Sequence, residues 1–454
     1  MHSICGSQPC TKSELDLFYS LPTNTSILSS FYTKIPIAKI NGDEEKFNIT
    51  IPGTDHYTDL SDIYVKLEVT IKNSTGVITN ASKIGPINNF GHSLFKKVEL
   101  KVGLDLHTFL VELGSTHYAY KAYILNLINF GSEAKNTWLD SCIYHKDTAS
   151  EFDNHAIEPS TTKKIKYEGE TTASDINIPN TVNNGFIKRR QKFLTSKGKV
   201  SMIFPLHCDI FHSNRFLLNK IGLEFEFERN NNTFLLMGDD TDYSVHINKF
   251  EIYARQCQIN DSVKLAHVTA MQLSPAIYPF KHKKVAFTNL SANSRNYMFN
   301  NFGSIIPSKM IFGLIKDESY NGTFKSNPFN FLPQGLSIVR LTVENVPITI
   351  KIDADQNDFS EAYHLFCEGL NIYGRDGNDI SIEEFANGNC LFFFNLLPDK
   401  GYCEQYNLIK TGSIILELEF AKPLTNGLKL MAFMEYDNQM NIDKKYDITF
   451  DHPL

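Results

Sequence analysis

Ile87-Asn-Asn-Phe-Gly-His-Ser-Leu-Phe-Lys-Lys-Val-Glu-Leu-Lys-Val102 is the stretch on which the reading of the fold turns. It opens on turn signals, Gly85-Pro86 and then Asn88-Asn89. It closes as an alternating strand. Leu94, Val98, Leu100 and Val102 share one parity, broken by Lys96, and Phe95, Lys97, Glu99 and Lys101 share the other. One face is built for a core and the other for solvent.

Working outward, the same alternation recurs. Residues 1–30 are polar and turn-rich, a loosely held lead-in. Lys46–Ile51 and Asp62–Ile71 read as strands separated by Pro52-Gly53. After the opening stretch, Tyr120, Tyr123, Ile124, Leu127 and Ile128 follow a period near 3.6, so a helix is expected over 117–130, stopped by Gly131. A second short helix is expected around 134–142. Residues 147–190 are long, polar and poor in apolar side chains, and are expected as an exposed loop. Strands resume at Lys199–Phe204 and Ile221–Arg229, and a short return is expected at Phe234–Met237.

Gly238-Asp-Asp-Thr-Asp242 is the expected linker, which puts a first unit at 31–238 and a second at 239–454. The second half carries strand signals at 245–257, 277–290, 309–315, 336–343, 348–352, 365–373, 391–396, 413–420, 428–436 and 446–450. Leu416-Glu-Leu-Glu-Phe-Ala-Lys422 echoes Leu223-Glu-Phe-Glu-Phe-Glu-Arg229. Many strands, few helices and regular turn punctuation predict an all-β chain. At this length, two tandem eight-stranded jelly-roll sandwiches with short helices in the connections fit better than one.

Composition narrows the function. The 454 residues are 42% hydrophobic and hold 34 Phe and 20 Tyr, enough for sizeable aromatic cores. The formal net charge of −7 argues against a protein whose main task is gripping nucleic acid. Eight scattered Cys, none in a Cys-x-x-Cys, read as reduced intracellular thiols rather than a zinc knuckle or a disulfide framework. No apolar run approaches a membrane span, and the first ten residues lack the apolar core of a signal peptide.

The opening stretch resembles a recurring motif of double jelly-roll major capsid proteins of the Polinton (Maverick) and adintovirus type. Further segments are similar to that family in the same order. They are His117–Ile124 with Phe130–Lys135, Pro205–Phe211 with Arg215–Asn219, Pro307–Leu314, and Tyr320–Phe331. Ile380–Phe385 with Asn387-Gly388, Leu416–Pro423, Glu435–Asn438 and Ile442-Asp443 complete the series. The resemblance covers roughly residues 35–450. It implies a homotrimer whose six similar corners make a pseudo-hexagonal tile of an icosahedral shell. It also implies lattice contacts between trimers and a penton protein at the vertices. Location would be the virion capsid, assembled inside the host cell, with no catalysis, no cofactor, no metal and no specific nucleic-acid binding.

Several patterns invite a chemical alternative. His207-Cys-Asp209, with His246 as a third ligand and Arg255 as a substrate clamp, imitates the facial triad of a jelly-roll Fe(II)-dependent oxygenase. The same residues fall inside the capsid-like segment, where a His–Asp hydrogen bond anchoring a turn is the expectation. Asp353-Ala-Asp-Gln-Asn-Asp358 starts like a calcium loop but lacks the Gly and Glu such a loop needs, so a solvated acidic loop is expected. The basic runs at 163–166, 188–192 and 281–284 are read as solvated faces. Phe392-Phe-Phe394 is read as packing rather than a base-stacking platform.

Overall fold

The computed structural model describes residues 10, 12–15, 17–18, 20–37, 44–103, 116–157, 182–353, 356, 358–372, 377–400 and 405–451, and the backbone of 163–165 and 174–176. Alternation makes the strands of the first half. They are β1 (Ile27–Pro36), β2 (Lys46–Ile51), β3 (Tyr57–Asn73), β4 (Phe95–Gly103), β5 (Lys199–Pro205), β6 (Gly222–Arg229) and β7 (Ser244–Ile259). One sheet runs β1-β7-β3-β5 and the other β2-β6-β4, every pair antiparallel. Phe250 of β7 meets Phe47, Phe95 and Phe227 of the opposite sheet at ring distances of 5.6, 5.5 and 4.9 Å. The inner faces of the two sheets therefore pack on each other, as a sandwich requires.

The second half repeats this order. Its strands are β8 (Ala276–Leu290), β9 (Asn296–Phe299), β10 (Lys309–Lys316), β11 (Leu336–Val343), β12 (Val346–Lys351), β13 (Leu391–Asn395), β14 (Ile414–Phe420) and β15 (Leu428–Ile442). They form β8-β15-β10-β13 and β9-β14-β11-β12. Position by position, β1-β7-β3-β5 corresponds to β8-β15-β10-β13, and β2-β6-β4 to β9-β14-β11. This is jelly-roll connectivity, present twice. The two echoing segments are β6 and β14, each an interior strand of its sheet, at the same position in the repeated order. Their Glu side chains meet cations on neighbouring strands: Lys96–Glu228 at 3.1 Å in the first half, Arg340–Glu417 at 3.0 Å in the second.

The opening stretch folds with a twist on its parity. Glu228 pairs with Lys97 and Arg229 with Phe95, so Lys96 is the extra residue of a β-bulge. The bulge resets the alternation, and Phe95 joins Val98, Leu100 and Val102 in the core. Gly85-Pro86 is not a turn but part of a short strand, Ile84–Pro86, paired with Leu236–Gly238. Asn89 adopts φ 52° and starts a helical turn, Phe90–Ser93.

Four helices matter for the rest: α1 (Tyr118–Asn129), α2 (Asn184–Thr195), α3 (Asp261–Ala270) and α4 (Ser360–Gly369). Four expectations are corrected. The second half does not begin after residue 238, because β7 is the partner of both β1 and β3; α3 follows it and leads into β8. The strand expected at 365–373 is α4: Phe359, Ala362, Phe366 and Gly369 recur at helical spacing and are all buried. The return at 234–237 begins as a helical turn, Asn232–Leu235. The region 147–190 is not an exposed loop where it is described. Asp147 and Phe152 are buried, and α2 starts at Asn184 with the Asn183 side chain accepting from Phe186 N–H.

Candidate functional site: a buried seam between the two halves

Helix α1 lies at the centre. Every residue from Tyr118 to Ile128 is buried, so this helix has no solvent face. Its aromatic side chains reach into the second half. Tyr123 stacks on Phe329 with ring centres 4.1 Å apart and planes within 4°. Tyr120 packs against Phe287, Phe329 and Tyr320 at 4.9, 5.5 and 6.2 Å. Phe329 and Tyr320 belong to the segment 320–331 that marks the second half in sequence.

A lone cation sits in this apolar run. Lys121 Nζ lies 2.6 Å from Asp209 Oδ1, with both side chains at 1% exposure or less. Asp209 Oδ2 accepts from His282 Nδ1 at 3.1 Å and from the Lys283 backbone N–H at 3.0 Å. One carboxylate thus joins a first-half helix to a second-half strand. Burial pushes this carboxyl up, but the Lys121 ammonium and the His282 hydrogen bond outweigh it and hold it well below the usual carboxylate range.

Beside it runs a neutral chain. Asn126 Nδ2 donates to Asn89 Oδ1 at 2.9 Å, which turns Asn126 Oδ1 toward His207 Nε2–H at 2.9 Å. The His207 backbone N–H donates to the Tyr118 hydroxyl, which also hydrogen-bonds His92 Nδ1 at 3.0 Å. Burial lowers His92 to about 3, and lowers His207 with help from the neighbouring His92.

A second buried ion pair closes the seam. Arg189 Nη2 meets Asp147 Oδ1 at 2.7 Å, both fully buried. Asp147 Oδ2 accepts from Asn88 Nδ2 at 3.3 Å and from Asn327 Nδ2 at 3.2 Å. Arg189 also donates to the carbonyls of Pro86 and His145. Arg190 donates to those of Ile84, Asn80 and Ser82. Nearby, Lys146 pairs with Asp379 and Glu384 at 3.0 and 2.9 Å, and Lys316 with Asp153 at 3.1 Å. Phe152 packs against Gly388, whose φ of +143° and lack of a side chain leave the ring room.

Placed on this map, the oxygenase pattern dissolves. His207 spends Nε2 on Asn126, Asp209 spends both oxygens on Lys121, His282 and Lys283, and His246 bonds Ser244 at 2.8 Å. Arg255 pairs with Asp59 at 3.0 Å. The histidine that anchors Asp209 is His282, not His207. Among the described residues, no group of three or more His, Cys, Asp or Glu is placed to hold a metal ion. The basic run at 188–192 is not a solvated face, since Arg189 and Arg190 are buried. His282 is buried as well, although Lys281 is exposed. Lys166 lies outside the described residues. Phe392, Phe393 and Phe394 are buried in β13. Asp353 and Asp358 exchange backbone hydrogen bonds, and Asp358 caps the start of α4 by accepting from Ser360 N–H; Ala354, Asp355 and Asn357 lie outside the described residues. Among the described residues no helix is long and apolar enough to cross a membrane.

Sequence reasoning missed Asn88, Asn89, Lys121, Asn126, Asp147 and Asn327 as a connected set. Lys121 carried a signal, because a single charge flanked on both sides by apolar helix residues demands a buried partner.

No protein-family model matches the chain. An uncharacterized protein of Caenorhabditis elegans is 24% identical over 452 residues, covering 93% of this chain and 97% of that one. A chain of the Sputnik virophage structure superposes with a TM-score of 0.60 at 13% identity, over 98% of this chain and 93% of that chain. The mavirus major capsid protein gives 0.52 at 11% identity, over 99% and 96%. The Faustovirus major capsid protein gives 0.51 at 9% identity, over 94% and 92%. Together with the strand order repeated along the chain, these likenesses show that it has the double jelly-roll fold of viral major capsid proteins.

Proposed function

We propose that this protein is a viral major capsid protein, a structural subunit without catalytic activity. The observation that carries this reading is the seam. Two sandwiches of the same strand order are locked together by buried ion pairs, a buried helix and stacked rings. A catalyst needs a site open to substrate; here the polar groups that resemble one are buried and spent on each other. A shell subunit needs what is found, a stiff body of fixed shape with loops at its ends.

Three such chains around a threefold axis would present six similar corners, a pseudo-hexagonal capsomer that tiles an icosahedral shell. The ordered sequence motifs point to the Polinton and adintovirus type, and the nematode relative of matching length fits an element resident in animal genomes. We place the divide between the two jelly rolls at α3, residues 261–270. Further partners are neighbouring trimers and a vertex penton protein, in a virion assembled inside the host cell. The test is the purified protein in solution and by negative-stain microscopy. A mass near three times 51.6 kDa and six-cornered tiles are expected. A stable monomer at micromolar concentration that never forms tiles overturns the proposal.

A further inference from the structure

Helix α3 bridges the two halves without being buried: none of its ten residues is. Beneath it lies a groove of about 550 Å³, lined by Ile27, Phe216, Ile259, Val263, Met271 and Ile277 among others. The polar atoms at its floor are already engaged. Tyr57 Oη bonds His267 Nδ1 at 3.0 Å, and Tyr278 Oη takes the Leu218 N–H and donates to the Phe216 carbonyl. Arg215, also in the lining, donates to the Ile277 carbonyl, and the rest of the lining is mainly apolar, with Asn24, Ser26 and Ser274 among it. Leu265 and Val268 of α3 and Leu28 of β1 are exposed as well.

The same chain carries a second unpartnered apolar feature. Leu15, Leu17, Phe18 and Leu21 are 68–100% exposed. Four large apolar side chains within seven residues, all facing water, are not a surface a folded chain leaves bare. This segment runs directly into Asn24, Ser26 and Ile27, which form one end of the groove. It therefore leaves the body beside an apolar groove and fills no part of it. Among the described residues neither feature is covered, and each is what the other lacks.

We propose that Leu15, Leu17, Phe18 and Leu21 of one copy dock under α3 of a neighbouring copy, into the groove bounded by Val263, Met271 and Ile277. Each chain then gives one segment and receives one. Such a head-to-tail contact closes without leftovers around a rotation axis. The proposal rests on the reading of this chain as a capsomer subunit, and assigns the segment that ties the capsomer together. Because α3 joins the two jelly rolls, the docked segment also braces the connection between them.

The experiment co-expresses two differently tagged full-length chains in which Cys5 and Cys10 are replaced by Ser. One carries Phe18→Cys, the other Ala270→Cys, whose side chain lies exposed on the groove lining. Mild oxidation with oxidised glutathione should give a mixed disulfide-linked pair carrying both tags. In parallel, Phe18→Ser with Leu21→Ser should weaken self-association by about 100-fold while leaving the melting temperature of the dissociated chain unchanged, since both residues are exposed there. Tiles that form normally, with no mixed cross-link and no effect of the serine variant, overturn the docking and leave the capsid reading standing. A single chain carrying both Phe18→Cys and Ala270→Cys serves as the control: if it cross-links within itself while the mixed pair does not form, the docking between copies is overturned. Wild-type protein that never associates removes the capsid reading, and the docking with it.

Discussion

At the scale of single residues, the seam depends on charges taken out of water. Removing one partner of a buried pair strands the other, so Asp209→Asn and Lys121→Met should each cost about 3–5 kcal/mol in chemical denaturation. Lys121→Met combined with Asp209→Asn should cost less than the sum of the two, with an amide oxygen still there to accept from His282 and the Lys283 N–H. Additive losses in the double variant would mean that the pair is not a coupled unit. The histidines set a pH limit. His92 is held neutral, near 3, while an unfolded chain protonates histidine near 6.5. Its folded-state value is depressed, so below 6.5 the unfolded chain binds a proton that the folded one refuses. Stability is complete above that pH and falls as the pH drops toward 3. His92 alone should cost about 2 kcal/mol at pH 5, and His207 acts in the same direction. Urea unfolding at pH 7 and pH 5 measures this, and His92→Gln should flatten the slope. Little of this was legible beforehand. Asn88-Asn89 reads as a turn, and Arg189-Arg190 as a solvated run, because their partners lie far away in sequence.

Among the elements, β4 shows how one residue sets a register. Deleting Lys96 removes the bulge and restores plain alternation with Phe95 still inward opposite Arg229, but it shortens the join to the buried turn at 90–93, so the deletion should cost about 1–3 kcal/mol. Lys96→Ala keeps the bulge and gives up an exposed pair with Glu228, and should change stability by less than about 1 kcal/mol. Equal behaviour of the two variants in thermal melts would refute this account of the strand. Gly388→Ala brings a Cβ to 2.1 Å from the Phe152 ring at a backbone angle other residues avoid. A loss of at least about 2 kcal/mol is expected. Strands were well legible, because alternation is local: β3, β6 and β14 lie where their parity puts them, and β4 does from Lys97 onward, beyond its bulge. The echo between residues 223–229 and 416–422 is real in topology, each being the interior strand at the same position of its sheet. Legibility failed for α4, where a short apolar run fits either period, and for 147–153, where Asp147 and Phe152 are buried beside Asn327 and Gly388 of the second half.

For the whole molecule, one hydrophobic cluster runs through both halves, and the seam adds two buried ion pairs. The jelly rolls should therefore unfold together, in one calorimetric transition whose calorimetric and van't Hoff enthalpies agree. Two resolved transitions, or a first half that is stable when expressed alone, would show that the seam is only a contact.

The seam also has a consequence for synthesis. Asp147 and its partner Asn327 are 180 residues apart along the chain. At translation speeds of 5–20 residues per second, the helix bearing Tyr120 and Tyr123 leaves the ribosome roughly 8–40 s before the rings of Phe287, Tyr320 and Phe329 that cover it. For that interval a nascent chain carries naked aromatic surface and must be shielded by a chaperone. Slowing growth by lowering the temperature should therefore raise the soluble yield only where such a chaperone is in surplus.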